Sequence, residues 1–242
     1  QGEQDAANLF YAEALEIARA SGDKLPLANA LYNAAFPDIV LGLTADRSEA
    51  QLQESLALFT ELGDDAGRAK VLWGSADLHY LKQPREWQAA IDQLLEAQPI
   101  FEREGDYFSL AWCLYTLGGC YMGMRQFEKA GSGLVRSLEL FRDADDRSGI
   151  VLLFDQMSLL AVAQEDLDRG ARLTGAARAL EKASGVGLLS SRVTIEPEYE
   201  EIANHLPETH TEAWEAGQKL SVDEAIAYAL EWRPSGARSA PS

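Results

Sequence analysis

Two cysteines and three histidines are the scarcest reactive side chains in this 242-residue sequence. Cys113 and Cys120 lie seven apart in one stretch of helical pattern, which sets their Cα atoms about 10.5 Å apart. A disulfide needs less than roughly 7 Å. The pair therefore reads as reduced, buried thiols of a cytoplasmic protein. His205 and His210 are five apart, which is neither of the spacings that set two ligands on one helical face, and His79 stands alone. No CxxC, HExxH or calcium-loop pattern occurs, so no metal site is predicted. No GxxxxGK[ST] or GxSxG occurs either. Gly118-Gly119 falls inside a helical pattern, where small residues permit close packing rather than phosphate binding. The acidic runs Glu198, Glu200, Glu201 and Asp143, Asp145, Asp146 read as solvated faces. No catalytic set, cofactor site or metal site is predicted.

Asp plus Glu number 39 against 21 Lys plus Arg, a net charge of −18. That balance repels phosphate backbones, so direct nucleic-acid or anionic-membrane binding is not expected. No apolar run approaches the ~18 residues of a membrane span, and no signal-peptide pattern is visible. The opening on Gln1, already near a helical pattern, reads as a cut from a longer polypeptide.

What would position any site is a repeat. Gly22-Asp23, Gly63-Asp64 and Gly105-Asp106 recur in step, with a degenerate fourth at Asp145-Asp146. Ala28, Ala69 and Ala111 follow at a fixed offset, with Val151 in the fourth unit; Leu31, Leu72, Leu114 and Phe154 come three later. A second series runs Ala50, Ala90, Ala130, Ala171. Each unit carries two apolar stripes at helical spacing, and the Gly-Asp pairs supply a left-handed turn and an N-cap. No stretch sustains period-two alternation, so no sheet is expected. Helix pairs are predicted over 25–43 and 47–62, 66–82 and 86–104, 107–124 and 127–143, and 147–163 and 167–184, after a lone second-type helix at 3–21. Pro37 and Pro99 fall inside these patterns and predict a kink or break. Pro84 marks a turn and 185–194 a loop. Thr194 caps a helix from Ile195 with Pro197 in its first turn, and a short helix follows Pro207. Ser221-x-x-Glu224 is a capping box opening a last helix over 222–232.

Leu114-x2-Leu117-Gly118-x2-Tyr121, then Phe127-x2-Ala130, Leu134 and Ser137-Leu138, resembles the tetratricopeptide (TPR) signature. The period departs from it, at 40–42 residues rather than 34. Such long repeats resemble the TPR-like regions of bacterial STAND-type ATPase regulators. The tail carries the same resemblance: Ala171 to Leu180, then Tyr199-Glu200, then Ala213-Trp214-x2-Gly217-x2-Leu220-Ser221-x2-Glu224-Ala225-x3-Ala229-Leu230 is similar to the closing segment of actinobacterial members. The resemblance implies an all-α superhelix of TPR-like helix hairpins over 1–184 with a helical cap over 185–232, and the Pro-, Ser- and Gly-rich composition of 233–242 predicts a disordered tail. It also implies a parent in which a nucleotide-binding ATPase module precedes the repeats. The output would be a LuxR-type helix-turn-helix or a nucleotide cyclase domain.

In TPR arrays the first helix of each pair lines the concave face. By that mapping the position after the Leu31 series faces the groove, and it holds Tyr32, Trp73, Tyr115 and Asp155. Asn29, Phe36, Lys70, Asp77, Tyr80, Trp112 and Met122 map to the same face. Aromatic and Met side chains dominate interface cores, so these residues predict a groove for a protein or peptide, the parent's own ATPase module among the candidates. Asp155 makes one end acidic, which suits a peptide with a basic end. Rings packed against one another in a tight superhelix are the competing reading. The functional expectation is a non-catalytic interaction and sensor module, with a small-molecule inducer sensor closed over by 185–220, or a ligand-free scaffold or oligomerisation arm, as alternatives.

Overall fold

A computed structural model describes residues 2–40, 46–184 and 197–233, the side chains of 2–8, 36 and 38–40 excepted. The predicted loop over 185–194, the Thr194 cap and most of the predicted tail lie outside the described residues. Those residues form an all-α chain of consecutive helix hairpins with no strand among them. It divides into two compact units, residues 1–109 and 110–242, and the division falls within α6 (Tyr107–Gly123).

The first unit holds α1 (Gly2–Ser21), α2 (Lys24–Val40), α3 (Asp46–Leu62), α4 (Asp65–Leu81) and α5 (Trp87–Glu104). Each packs on the next, and α2 also touches α4. The turns follow from two residue types acting in series. Gly22, Gly63 and Gly105 take φ of 71°, 67° and 69°, the left-handed conformation that ends a helix without a Cβ clash. The Asp after Gly63 and after Gly105 then serves both neighbours. Asp64 N–H donates to Phe59 O at 3.0 Å, closing α3, while its Oδ1 accepts from Gly67 N at 2.8 Å, opening α4. Asp106 does the same with Phe101 O and the Ser109 amide. Ala28, Ala35, Leu52, Phe59, Val71 and Leu78 form the core here.

Pro37 and Pro99 do not break their helices: α2 runs on to Val40 and α5 to Glu104. The carbonyls deprived of a donor belong to Asn33 and Leu95, both exposed residues, where loss of the helical bond costs least. Pro84, in the α4–α5 turn, follows a cis peptide bond.

The second unit comprises the rest of α6, then α7 (Phe127–Asp143), α8 (Arg147–Ala163), α9 (Leu167–Ser184), α10 (Pro197–Thr209), α11 (Thr211–Gln218) and α12 (Val222–Leu230). Asp145 occupies the left-handed position without glycine, at φ 50°, and Asp146 caps α8 by accepting from Gly149 N at 3.0 Å. Arg125 and Glu165 hold the equivalent conformation inside the hairpins, at 57° and 60°. Gly118 admits Leu134 where a Cβ would meet its Cδ2 at 2.5 Å, so the mid-helix glycine is a close-packing residue, and Ala130 is fully buried. Cys113 and Cys120 form no disulfide and are fully buried.

Pro197 opens α10, but Pro207 lies inside that helix instead of before the next one. The Ser221–Glu224 capping box forms as predicted and opens α12, which ends at Leu230 rather than 232. Helix α10 rests on α8 and α9, α11 lies against α9, and α12 touches α7 and α9. These three helices belong to the same compact unit as the hairpins beneath them.

Candidate functional site

Every residue predicted for the groove stands on the first helix of a pair: Asn29, Tyr32 and Phe36 on α2, Lys70, Trp73, Asp77 and Tyr80 on α4, Trp112, Tyr115 and Met122 on α6, Asp155 on α8. In the first unit Asn29 is exposed, its amide donating to Leu25 O at 2.9 Å. The side chain of Phe36 lies outside the described residues. Tyr32 is half-buried against the α2–α3–α4 core, and burial, then the Asp77 charge, pushes its phenol above the ordinary range. Trp73 is half-buried, and its indole Nε1 is closed to solvent with no hydrogen-bond partner among the described residues. Lys70, one turn earlier, is exposed, and Asp77, one turn later, is half-buried.

Tyr80 is not a groove residue. It is 6% exposed and meets the Trp87 ring edge-on at 5.5 Å, with the Arg85 guanidinium 6.0 Å and 5.5 Å from the two ring centres. The chain reverses directly after α4, so its last turn is enclosed by the start of α5.

In the second unit Met122 is likewise displaced from the predicted surface. It is fully buried although it shares the helical phase of Tyr115, on a helix where nearly every position from Leu110 to Cys120 is buried. Trp112 and Tyr115 are half-buried and pack edge-on at 5.7 Å, and Trp112 also meets Phe141 at 5.0 Å. Asp155 is not a free acidic end. Arg178 of α9 contacts both of its carboxylate oxygens, at 2.5 Å and 2.7 Å, and also Glu181 at 2.9 Å. Burial raises the Asp155 carboxyl to about 6, Arg178 pulls against that, and Glu181 adds to it.

Tyr115 and Asp155 share a cleft of about 300 Å³ whose wall draws on α6, α8, α9, α10 and α11. That is at the small end of ligand pockets. Leu152, Leu159, Pro207 and Trp214 give it apolar wall, and Gln156 lines it too. Gln156 is 2% exposed, yet neither its Nε2 nor its Oε1 has a hydrogen-bond partner among the described residues. The Trp214 indole Nε1 and the Arg178 Nε are in the same condition. Ser158 and Thr174 hydroxyls, by contrast, are satisfied by each other and by Gly170 O. Buried polar groups are nearly always paired, so three unpaired ones around one cleft single it out.

Sequence reasoning placed Asp155 and Tyr115 and missed Gln156, Thr174 and Arg178. A signal existed: Asp155, Gln156 and Ser158 interrupt an otherwise apolar run from Ile150 to Ala163. Among the described residues no group of three or more His, Cys, Asp or Glu is placed to hold a metal ion.

Among those residues no helix is long and apolar enough to cross a membrane. No protein-family model and no curated protein matches the chain. Among solved structures it is similar to BtubC (BKLC) from P. vanneervenii, with a TM-score of 0.64 and 17% identity over 99% of this chain and 97% of that one. What the two share at that identity is the fold, an all-helical repeat architecture over nearly their whole lengths.

Proposed function

We propose that this chain is a non-catalytic recognition and sensor module of a larger signalling protein in the bacterial cytoplasm, of the STAND-type ATPase regulator kind. Its partner is a protein or peptide, the parent's own ATPase module among the candidates, and not nucleic acid or membrane. The observation that carries the reading is Trp73. A half-buried indole ring, set between exposed Lys70 and half-buried Asp77 on one helix, offers an aromatic surface flanked by both signs of charge. Such anchors account for most of the energy in peptide interfaces. The buried thiols Cys113 and Cys120, not joined in a disulfide, fit a reducing compartment. The net charge of −18 weighs against nucleic acid.

The test selects peptides on the 242-residue chain from a random display library and measures them against Trp73→Ala. Selected peptides should lose about thirtyfold or more in affinity, the range of a hot spot, with helicity unchanged. Equal affinity together with a lowered melting temperature would reduce Trp73 to a packing residue and refute the reading. A second reading, a small-molecule sensor, is favoured by the cleft of the second unit, where α10 and α11 close over α8 and α9.

A further inference from the structure

The cleft of the second unit has features that ordinary packing does not explain. An amide buried without partners costs stability, because its desolvation is not offset. Gln156 carries one such amide, and among the described residues nothing takes either end of it. Leu or Met would fill the same helical position at no such cost. Both amide atoms are closed to solvent, and the end of a Gln side chain turns about a soft torsion, so meeting a molecule in the cleft it lines takes a turn of that end. Trp214, on the α11 side, brings a flat ring and a second donor with no partner among the described residues.

Size and charge narrow what fits. An engineered cavity of about 150 Å³ holds benzene, so about 300 Å³ suits a molecule of one or two rings. Charge argues against an anion. Arg178 is already engaged by Asp155 and Glu181, and Glu200 adds a further carboxylate to the wall. What remains to be recognised is a neutral edge. A primary amide presents a donor and an acceptor side by side, and its complement is an acceptor beside a donor, as in the bidentate reading of adenine by Gln.

We propose that this cleft binds a small, flat, uncharged molecule bearing an amide-type edge, such as a lactam, a carboxamide or a nucleobase, with the Gln156 amide reading the edge and the Trp214 ring covering a face. This rests on the sensor reading of the cleft and is independent of the peptide surface at Trp73. The hollow at α1–α3 in the first unit is larger, about 550 Å³. One polar atom without a partner among the described residues lines it, the Gln51 Oε1, against three side chains with such atoms at the second-unit cleft, and its rim includes exposed side chains that already pair, Arg19 with Glu54.

The experiment titrates the 242-residue chain with uracil and nicotinamide, follows saturation transfer to the probe by NMR, and runs indole beside them as a flat ring without an amide edge. Uracil or nicotinamide should bind with a Kd of about 1 mM or tighter, as the efficiency of one-ring ligands allows. Indole should bind at least about tenfold more weakly. Gln156→Met should weaken the amide probes about tenfold or more while melting no lower than the parent, since it removes an unpaired buried amide. If that variant does not fold, Gln156→Asn, which retracts the amide, takes its place with the same threshold. Indole binding as tightly as uracil and nicotinamide would overturn the amide class and leave the sensor reading standing. No saturation transfer from any probe at about 5 mM would remove both, and unchanged affinity in the Gln156 variant would overturn the role of the amide.

Discussion

Two glycine-to-alanine changes should move stability in opposite directions. At Gly175 a Cβ would stand 2.1 Å from Trp214 O and 3.0 Å from its carbonyl carbon. The reciprocal contact exists across the same crossing, where a Cβ on Gly217 would stand 2.0 Å from Arg172 O. Both obstacles are backbone, so no rotamer change relieves them, and α9 and α11 must part by roughly 1 Å to restore ordinary contact. Overpacking of this sort costs about 1–3 kcal/mol. Alanine recovers up to about 1 kcal/mol through its higher helix propensity, which leaves Gly175→Ala destabilising by about 1–2 kcal/mol. At Gly133 a Cβ would find only Leu114 O, at 3.6 Å. There the propensity gain stands alone, and Gly133→Ala should stabilise by up to about 1 kcal/mol. In a chain of this length 1 kcal/mol moves Tm by about 2–4 °C, so thermal melts followed by circular dichroism separate the two. If both variants melt above the parent, or shift alike, α9 and α11 do not cross in backbone contact.

The buried Asp155 carboxyl predicts a pH dependence of opposite sign to that of most acids. Its folded-state value of about 6 exceeds the ordinary carboxyl value of 3.8, so between them the folded chain holds a proton that the unfolded chain has lost. Stability from this group is therefore present at low pH and lost as pH rises to about 6, by about 3 kcal/mol at 1.36 kcal/mol per unit. The charged groups against it are Arg178 and, through Arg178, Glu181, with Glu200 on the same cleft wall. Urea unfolding of the parent and Asp155→Asn from pH 4 to pH 7 should show their difference shrinking accordingly; parallel curves would show Asp155 charged throughout. Ser137 is fully buried and donates to Ala111 O at 2.7 Å, so Ser137→Ala should cost about 1 kcal/mol in the same unfolding assay. A stability gain there would mean that the hydroxyl is poorly satisfied.

The recurring Gly-Asp phrase made the fold legible, because it is local chemistry. Glycine at the left-handed turn and aspartate at the cap act within a few residues of each other, and the structure uses Gly63-Asp64 and Gly105-Asp106 in that way. The degenerate phrase was legible for the same reason: an Asp tolerates αL, and Asp145 adopts it. The 3.6-residue stripes likewise determined which residues turn inward, and the capping box at Ser221 needed only four residues to be read. The buried pair Ser55 with Ala28 O and Ser137 with Ala111 O was less visible. The serines recur in the sequence, but the carbonyls they seek lie one helix back.

What the sequence by itself determined is the order, lengths and type of the helices, since each depends on neighbours within about one turn. Tertiary structure decided which residues of the first helices meet solvent. Tyr80 and Met122 carry the right phase for a groove and are buried by the chain that packs over them. It also decided that Asp155 is neutralised, because its partner Arg178 comes from another helix, 23 positions on. The cleft belongs wholly to that second level. Tyr115, Gln156, Arg178 and Trp214 converge from four helices, and no local pattern encodes a convergence. The physical reason is range. Capping and periodicity act through contacts a few residues apart, whereas a cleft and its unpaired amide exist only once distant helices have closed around them.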